Sequence, residues 1–242
     1  MANMRSCCMK KLIIFDCDGV LVNSEIIEHR VAAKALANLG FPITVEENIR
    51  LFTGVDNTAA KQIIIEKTGI IPPDDFFSSI QAAIYKAFET ELIPVILPVL
   101  QFIAAQNIAY CVASNSNNER VVKSLALSKQ LEFFNKENIF TAEQVAKGKP
   151  APDLFLFAAL QMGFAAKDCL VIEDSITGIQ AALAAKMAVI GFLGGEHTHY
   201  DWYQQHINAY NIPIAYNTKE LLTILINQIG VQTRTCSPIH DR

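Results

Sequence analysis

Leu12-Ile13-Ile14-Phe15 is a run of four apolar residues that stops at Asp16-Cys17-Asp18-Gly19, and this junction constrains the fold more than any other stretch. An uninterrupted apolar run of that length reads as a short strand buried on both faces, the kind found in parallel sheets. Two carboxylates at the carboxyl end of such a strand are costly unless a cation or a chemical task compensates them. Open parallel sheets bind their ligands at that end of their strands.

Two further apolar runs end in the same way. Residues 108–113 lead into Ser114-Asn115-Ser116, and residues 169–172 lead into Glu173-Asp174. Helical patterns alternate with them at 96–106 (Pro98 tolerated in its first turn), 118–127, 152–162 and 175–186. A short strand at 138–140, another at 188–192, an edge strand at 214–216 and a helix over 218–229 follow from the same reading. Strands alternating with helices predict an α/β fold with parallel pairing and right-handed crossovers.

Between the first strand and this alternating part lie four helical segments with no strand among them. They run from Ser24, read as a cap, to Gly40; from the Thr44/Glu47 capping box to Phe52; from Asp56 to Gly69; and from Pro73-Asp74-Asp75 to about Leu92. This predicts a helical unit over 24–93 inserted into a discontinuous core domain made of 1–23 and 94–242. The tail, 230–242, lacks periodicity and reads as disordered.

Composition narrows the class. The 242 residues are 51% hydrophobic and 18% charged, with 20 basic and 24 acidic side chains and a net charge of −4. That balance, without a basic run, argues against a nucleic-acid partner, and no apolar run reaches the ~18 residues that span a bilayer. Residues 1–11 lack the apolar core of a secretory signal. Cys17, Cys111 and Cys169 fall in or beside apolar strands, and Cys7-Cys8 has no matching pair at metal-ligand spacing, which suits a reduced, cytoplasmic protein.

The polar strand ends, with Lys149 in a loop between two of them, supply carboxylates, a hydroxyl, backbone amides and one ammonium. Oxygen-only ligands of that kind favour Mg2+ beside a substrate phosphate, and phosphoryl transfer is stabilised mainly by positioning and electrostatics. A lone Asp-x-Asp is a weak signal, because glycosyltransferases also carry one.

Four stretches in order make a stronger signal. They are Asp16-Cys17-Asp18-Gly19-Val20-Leu21-Val22-Asn23-Ser24-Glu25; Ser114-Asn115; Lys149-Pro150-Ala151-Pro152-Asp153; and Glu173-Asp174-Ser175-Ile176-Thr177-Gly178. Together they resemble the four loop motifs of the haloacid dehalogenase superfamily. The resemblance implies a Rossmann-like core with an inserted helical cap that closes over the site, and a monomeric phosphatase of small phosphorylated metabolites. It implies Asp16 as the nucleophile and Asp18 as the acid and base. Ser114 and Lys149 would be the phosphoryl-holding and charge-offsetting residues. Asp16, the carbonyl of Asp18, Asp174 and Glu173 would hold Mg2+. Asn115 and the cap residues Gly54 and Asn57 lie where family members contact substrate.

Within the family the nearest patterns are sugar-phosphate phosphatases, those acting on 6-phosphogluconate among them, and β-phosphoglucomutase. The mutase's histidine and cap-loop arginine correspond here to Glu28 and Asn57, while His29 is turned by about 100° on the helix. A phospho-aspartate receiver also gathers acids, a hydroxyl and a lysine, but it is about half this length and has no cap. Of the rest, His197 and His199 read as a flexible surface loop, Trp202 and Tyr203 as packing, and Lys147 as a solvated loop residue.

Overall fold

The computed structural model describes residues 11–229; the residue 1–10 and 230–242 expectations lie outside them. Six strands form one parallel sheet: β1 (Leu12–Phe15), β2 (Ala109–Ser114), β3 (Ile139–Thr141), β4 (Cys169–Glu173), β5 (Ala188–Phe192) and β6 (Ile214–Ala215), in the order β3-β2-β1-β4-β5-β6. The first strand is central, with β2 on one side and β4 on the other. Phe15 is level with both Val112 and Ile172. Adjacent strands lie about 4.8 Å apart, so this register brings Asp16, Ser114 and Glu173 to one rim. The chain changes direction across the sheet at β1, which makes this rim a topological switch point.

Side chains alternate across the sheet and fill a layer on each face. Ile13 and Phe15 join the core built with α5 (Leu97–Ala105), α6 (Asn118–Leu127) and α10 (Thr218–Ile229). Leu12 and Ile14 point the other way, toward α7 (Asp153–Gln161), α8 (Ile176–Ala184) and α9 (Asp201–Asn208). Of these helices only α9 has no counterpart in the sequence reading. It is eight residues long and buries only Tyr203 and Ile207, too few apolar positions to show a helical period.

The inserted segment forms α1 (Ser24–Leu39), α2 (Val45–Phe52), α3 (Asn57–Thr68) and α4 (Phe76–Glu91). Its own core is small: Leu36, Ile64 and Phe76 are buried, with Leu39, Phe41 and Phe52 packed around them. Ile84 and Phe88 of α4 instead enter the core that holds Phe15. The two connections to the sheet layer run side by side. Asn23 Oδ1 accepts from the Ile93 N–H at 2.7 Å, and Val95 N–H donates to the Leu21 carbonyl at 2.9 Å. The Thr44/Glu47 capping box is formed as read, and Gly40 closes α1 with φ of 101°. Ser24 is not the cap of α1: no side chain caps that helix, and the Ser24 hydroxyl is turned to Asp18 instead.

Phe88 is 1% exposed and carries α4 into the sheet's core. Replacing it with alanine is expected to cost about 3–5 kcal/mol in urea unfolding; a cost below about 1 kcal/mol would show that this contact does not hold α4 in place.

Candidate active site

Asp16 follows β1 directly, and its N–H donates to the Ile172 carbonyl of β4 at 3.0 Å. The chain then curls, with Leu21 and Val22 N–H both donating to the Cys17 carbonyl. Gly19 makes the curl possible twice over. Its φ is +81°, and a Cβ there would lie 1.8 Å from Asp174 Oδ2. On the neighbouring strand, Glu173 Oε2 accepts from both the N–H and the hydroxyl of Ser175, each at 2.9 Å, and Ser175 in turn caps α8 by accepting from Gly178 N–H. A Cβ on Gly178 would sit 1.8 Å from Glu173 Oε1, so the fourth motif needs glycine there to admit the carboxylate.

Lys149 reaches this rim from the loop before α7. Asn115 holds the loop: its side chain accepts from Lys149 N–H at 2.8 Å and donates to the Lys149 carbonyl at 3.0 Å. The ammonium donates to Asp16 Oδ1 at 2.6 Å and to Glu173 Oε1 at 2.7 Å, and Lys147 is exposed, as read. Asp16, Glu173 and Asp174 are buried and each offers an oxygen within 4.8 Å of the others. Burial pushes the Asp16 carboxyl well above the usual carboxylate range against the pull of Lys149. Burial does the same to Asp174, and Glu173 beside it pushes in the same direction.

The Asp18 carboxylate faces away from these three. It accepts from Ser24 Oγ at 2.7 Å, Ser116 Oγ at 2.7 Å, Ser114 Oγ at 3.2 Å and Arg120 Nη2 at 3.1 Å. Burial opposes its charge, but Arg120 and these hydroxyls outweigh it and hold the carboxyl at about 2. Arg120, one turn into α6, also pairs with Glu28 of α1. Burial pushes Glu28 up to about 7 in spite of that partner. Neither Arg120 nor Ser116 was singled out from the sequence; an arginine four residues after Ser116 on the helix that follows the second motif was the available signal.

A cavity of about 700 Å3 opens over these groups. It reaches Asp16, Asp18, Ser114, Asn115, Lys149, Glu173, Asp174 and Gly54, but not Asn57, which is exposed at the start of α3. His29 is buried and turned to α2, with its Nδ1 2.7 Å from Asn48 Oδ1. Two readings are corrected here. His197 is no surface residue: it is buried with Nε2 2.8 Å from Asp174 Oδ2, and burial lowers its pKa to about 4. Trp202 and Tyr203 do more than pack, because both line the cavity, and the Tyr203 hydroxyl donates to the Asp174 carbonyl at 3.2 Å. His199 is exposed, as expected. Among the described residues no helix is long and apolar enough to cross a membrane.

Residues 13–192 match the family model of the haloacid dehalogenase-like hydrolases. The 6-phosphogluconate phosphatase of Escherichia coli K12 is 27% identical over 186 residues, 76% of this chain and 83% of that protein. The β-phosphoglucomutase of Bacillus subtilis 168 is 30% identical over 200 residues, 77% and 84% of the two chains. Among solved structures, a family hydrolase from Deinococcus radiodurans R1 with bound phosphate and sodium superimposes with a TM-score of 0.79 at 28% identity, covering 92% of this chain and 97% of that one. With the four loops, the parallel sheet and the inserted helices in the expected places, the chain belongs to the haloacid dehalogenase-like hydrolases.

Proposed function

We propose that the protein is a Mg2+-dependent phosphatase of small sugar or polyol phosphates that works through an aspartyl-phosphate on Asp16. One observation carries this reading: three buried carboxylates, Asp16, Glu173 and Asp174, lie together, and the one ammonium among them, Lys149, pairs with Asp16 and Glu173. One ammonium cannot answer three carboxylates, and burial pushes Asp16 and Asp174 toward their protonated forms. A hard divalent cation on oxygen ligands supplies the missing charge, so the donor set fits Mg2+. Bound there, it would draw charge from a transferring phosphoryl group.

The chain's own groups divide the remaining work. Lys149 holds Asp16 Oδ1, which orients the carboxylate to attack phosphorus. The P–O bond to the sugar breaks as the Asp16–P bond forms, and the departing oxygen takes its proton from Asp18. Water then attacks the phosphorus, Asp18 takes the water's proton, and inorganic phosphate and free Asp16 result. Arg120 and the surrounding hydroxyls favour the ionised form of Asp18, the form suited to this second half. For the first half it must carry a proton, and a substrate phosphate arriving beside Ser114 adds the negative charge that raises its pKa. Helices α1–α4 serve as the cap domain (24–93), with the paired connections at Asn23 and Ile93 as its hinge. The E. coli relative named for 6-phosphogluconate supports a sugar-phosphate substrate. The free, buried Cys17, Cys111 and Cys169 support a reducing, cytoplasmic setting. We take the chain to act as a monomer, without nucleic-acid or membrane partners.

The Bacillus relative raises the mutase alternative. Glu28, in place of an imidazole, is committed to Arg120, and Asn57 does not reach the cavity; both favour hydrolysis.

Phosphate release from a panel of sugar phosphates is expected with Mg2+, to vanish in EDTA, and to fall by roughly a thousandfold or more in Asp16→Asn. Conversion of β-glucose 1-phosphate to glucose 6-phosphate without release would favour the mutase. Arg120→Met strands the buried Asp18 carboxylate and the half-buried Glu28 and is expected to cost about 3 kcal/mol in urea unfolding. Glu28→Gln, which leaves Arg120 on Asp18, should cost less than about 1 kcal/mol; equal costs would contradict the shared role of Arg120.

A further inference from the structure

A second group of side chains lines the same cavity and has no part in the chemistry above. Arg50 of α2 places its guanidinium carbon 4.8 Å from the centroid of the Trp202 ring, and His206 meets the same ring edge-on at 5.9 Å. Tyr203 stands between this group and the carboxylates, its ring 5.4 Å from Trp202 and its hydroxyl on the Asp174 carbonyl. The geometry points to a subsite for an oxyanion on the substrate remote from the transferred phosphoryl group, either a carboxylate or a second phosphate, held by Arg50 stacked on Trp202 with His206 beside it.

Three observations support this, on the premise of the phosphatase reading. First, the stack is braced. Glu46 Oε1 accepts from Trp202 Nε1 at 2.9 Å and from Arg50 Nη2 at 3.3 Å, and Glu46 itself does not line the cavity. A guanidinium set over an indole and tethered by a carboxylate is pre-organised to receive a planar or tetrahedral oxyanion. Second, donors remain. A guanidinium carries five N–H groups, the described residues give Arg50 no other hydrogen-bond partner, and its side chain is 56% exposed. Third, the charge is specific. Among the described residues Arg50 is the one arginine lining a cavity that also presents five carboxylates. A neutral polyol tail gains nothing from it, whereas an anionic tail gains charge-assisted bonds.

The competing account is that Arg50, Glu46 and Trp202 only clasp the helical insert to α9. The two differ in what they do to selectivity. The test measures kcat/KM with Mg2+ for 6-phosphogluconate, fructose 1,6-bisphosphate and glucitol 6-phosphate, whose tails are a carboxylate, a phosphate and a neutral alcohol. For one or both anionic tails, kcat/KM is expected to exceed the glucitol value, and Arg50→Ala should lower that ratio roughly tenfold. Arg50→Lys, which keeps the charge but loses the planar fork, should restore part of it. A loss in Arg50→Ala that is equal for all three compounds, or no preference in the wild type, overturns the subsite. If no compound releases phosphate, the phosphatase reading fails separately, and the subsite is judged by binding. Trp202 is the sole tryptophan, so its emission reports on the stack directly. A saturable change with an anionic-tailed compound, absent with glucitol 6-phosphate and lost in Arg50→Ala, sustains the proposal. The absence of any Arg50-dependent change overturns it.

Discussion

The Lys149 ammonium lies between Asp16 and Glu173, 2.6 Å from one and 2.7 Å from the other, and the rim of the sheet is arranged around that contact. The two carboxylates project from the ends of adjacent strands, where parallel pairing leaves no choice but proximity. Buried without Lys149 they would repel each other and shed their charge by taking up protons. With Lys149 the repulsion is only half answered, because Asp174 adds a third carboxylate. On the proposed reading, that imbalance is what a divalent cation would answer. Local details follow from the same crowding: Gly19 and Gly178 are places where a methyl group would collide with Asp174 and Glu173.

A second electrostatic unit lies on the far side of Asp18. Arg120 joins the acid on the first loop to Glu28 on the first inserted helix, so the protonation state of Asp18 and the placement of α1 depend on one guanidinium. Ser24 adds to this link from the first turn of α1. Movement of the inserted helices relative to the sheet would therefore be felt directly at Asp18. The small independent core of the insert, centred on Leu36, Ile64 and Phe76, and its dependence on Phe88 for contact with the main core suit a unit that shifts as a body about the Asn23–Ile93 connections.

Much of this was legible in the sequence, for a definite reason. Asp16, Ser114 and Glu173 each end an apolar run, and parallel strands of an α/β domain end on the same side, so their convergence did not require the strand order. The strand order itself, with β1 between β2 and β4, could not be read, because nothing in Leu12–Phe15 names its neighbours. Helical side chains were the harder class. Arg120 and Arg50 occupy ordinary positions on amphipathic helices, and a charged residue that turns inward, as Arg120 does, or toward a cavity, as Arg50 does, leaves the same pattern as one that turns to water. His197 was misread because a polar, glycine-containing loop looks solvated, whereas here Gly19 and Gly195 leave room for the imidazole to fold in against Asp174. Ser24 looked like a cap because its residue type and position fit one; its hydroxyl found a carboxylate instead.

On the proposed mechanism Asp16 carries the phosphoryl group during turnover. The most direct measurement is mass analysis of the peptide containing Asp16, from protein quenched in acid during steady turnover with Mg2+ and a good substrate. A peptide heavier by one phosphoryl group, with the modification at Asp16 and absent from Asp16→Asn, is the predicted result. Turnover without any modified peptide and with inversion, rather than retention, of configuration at an isotopically chiral phosphorus would point to a single direct attack by water and contradict the account.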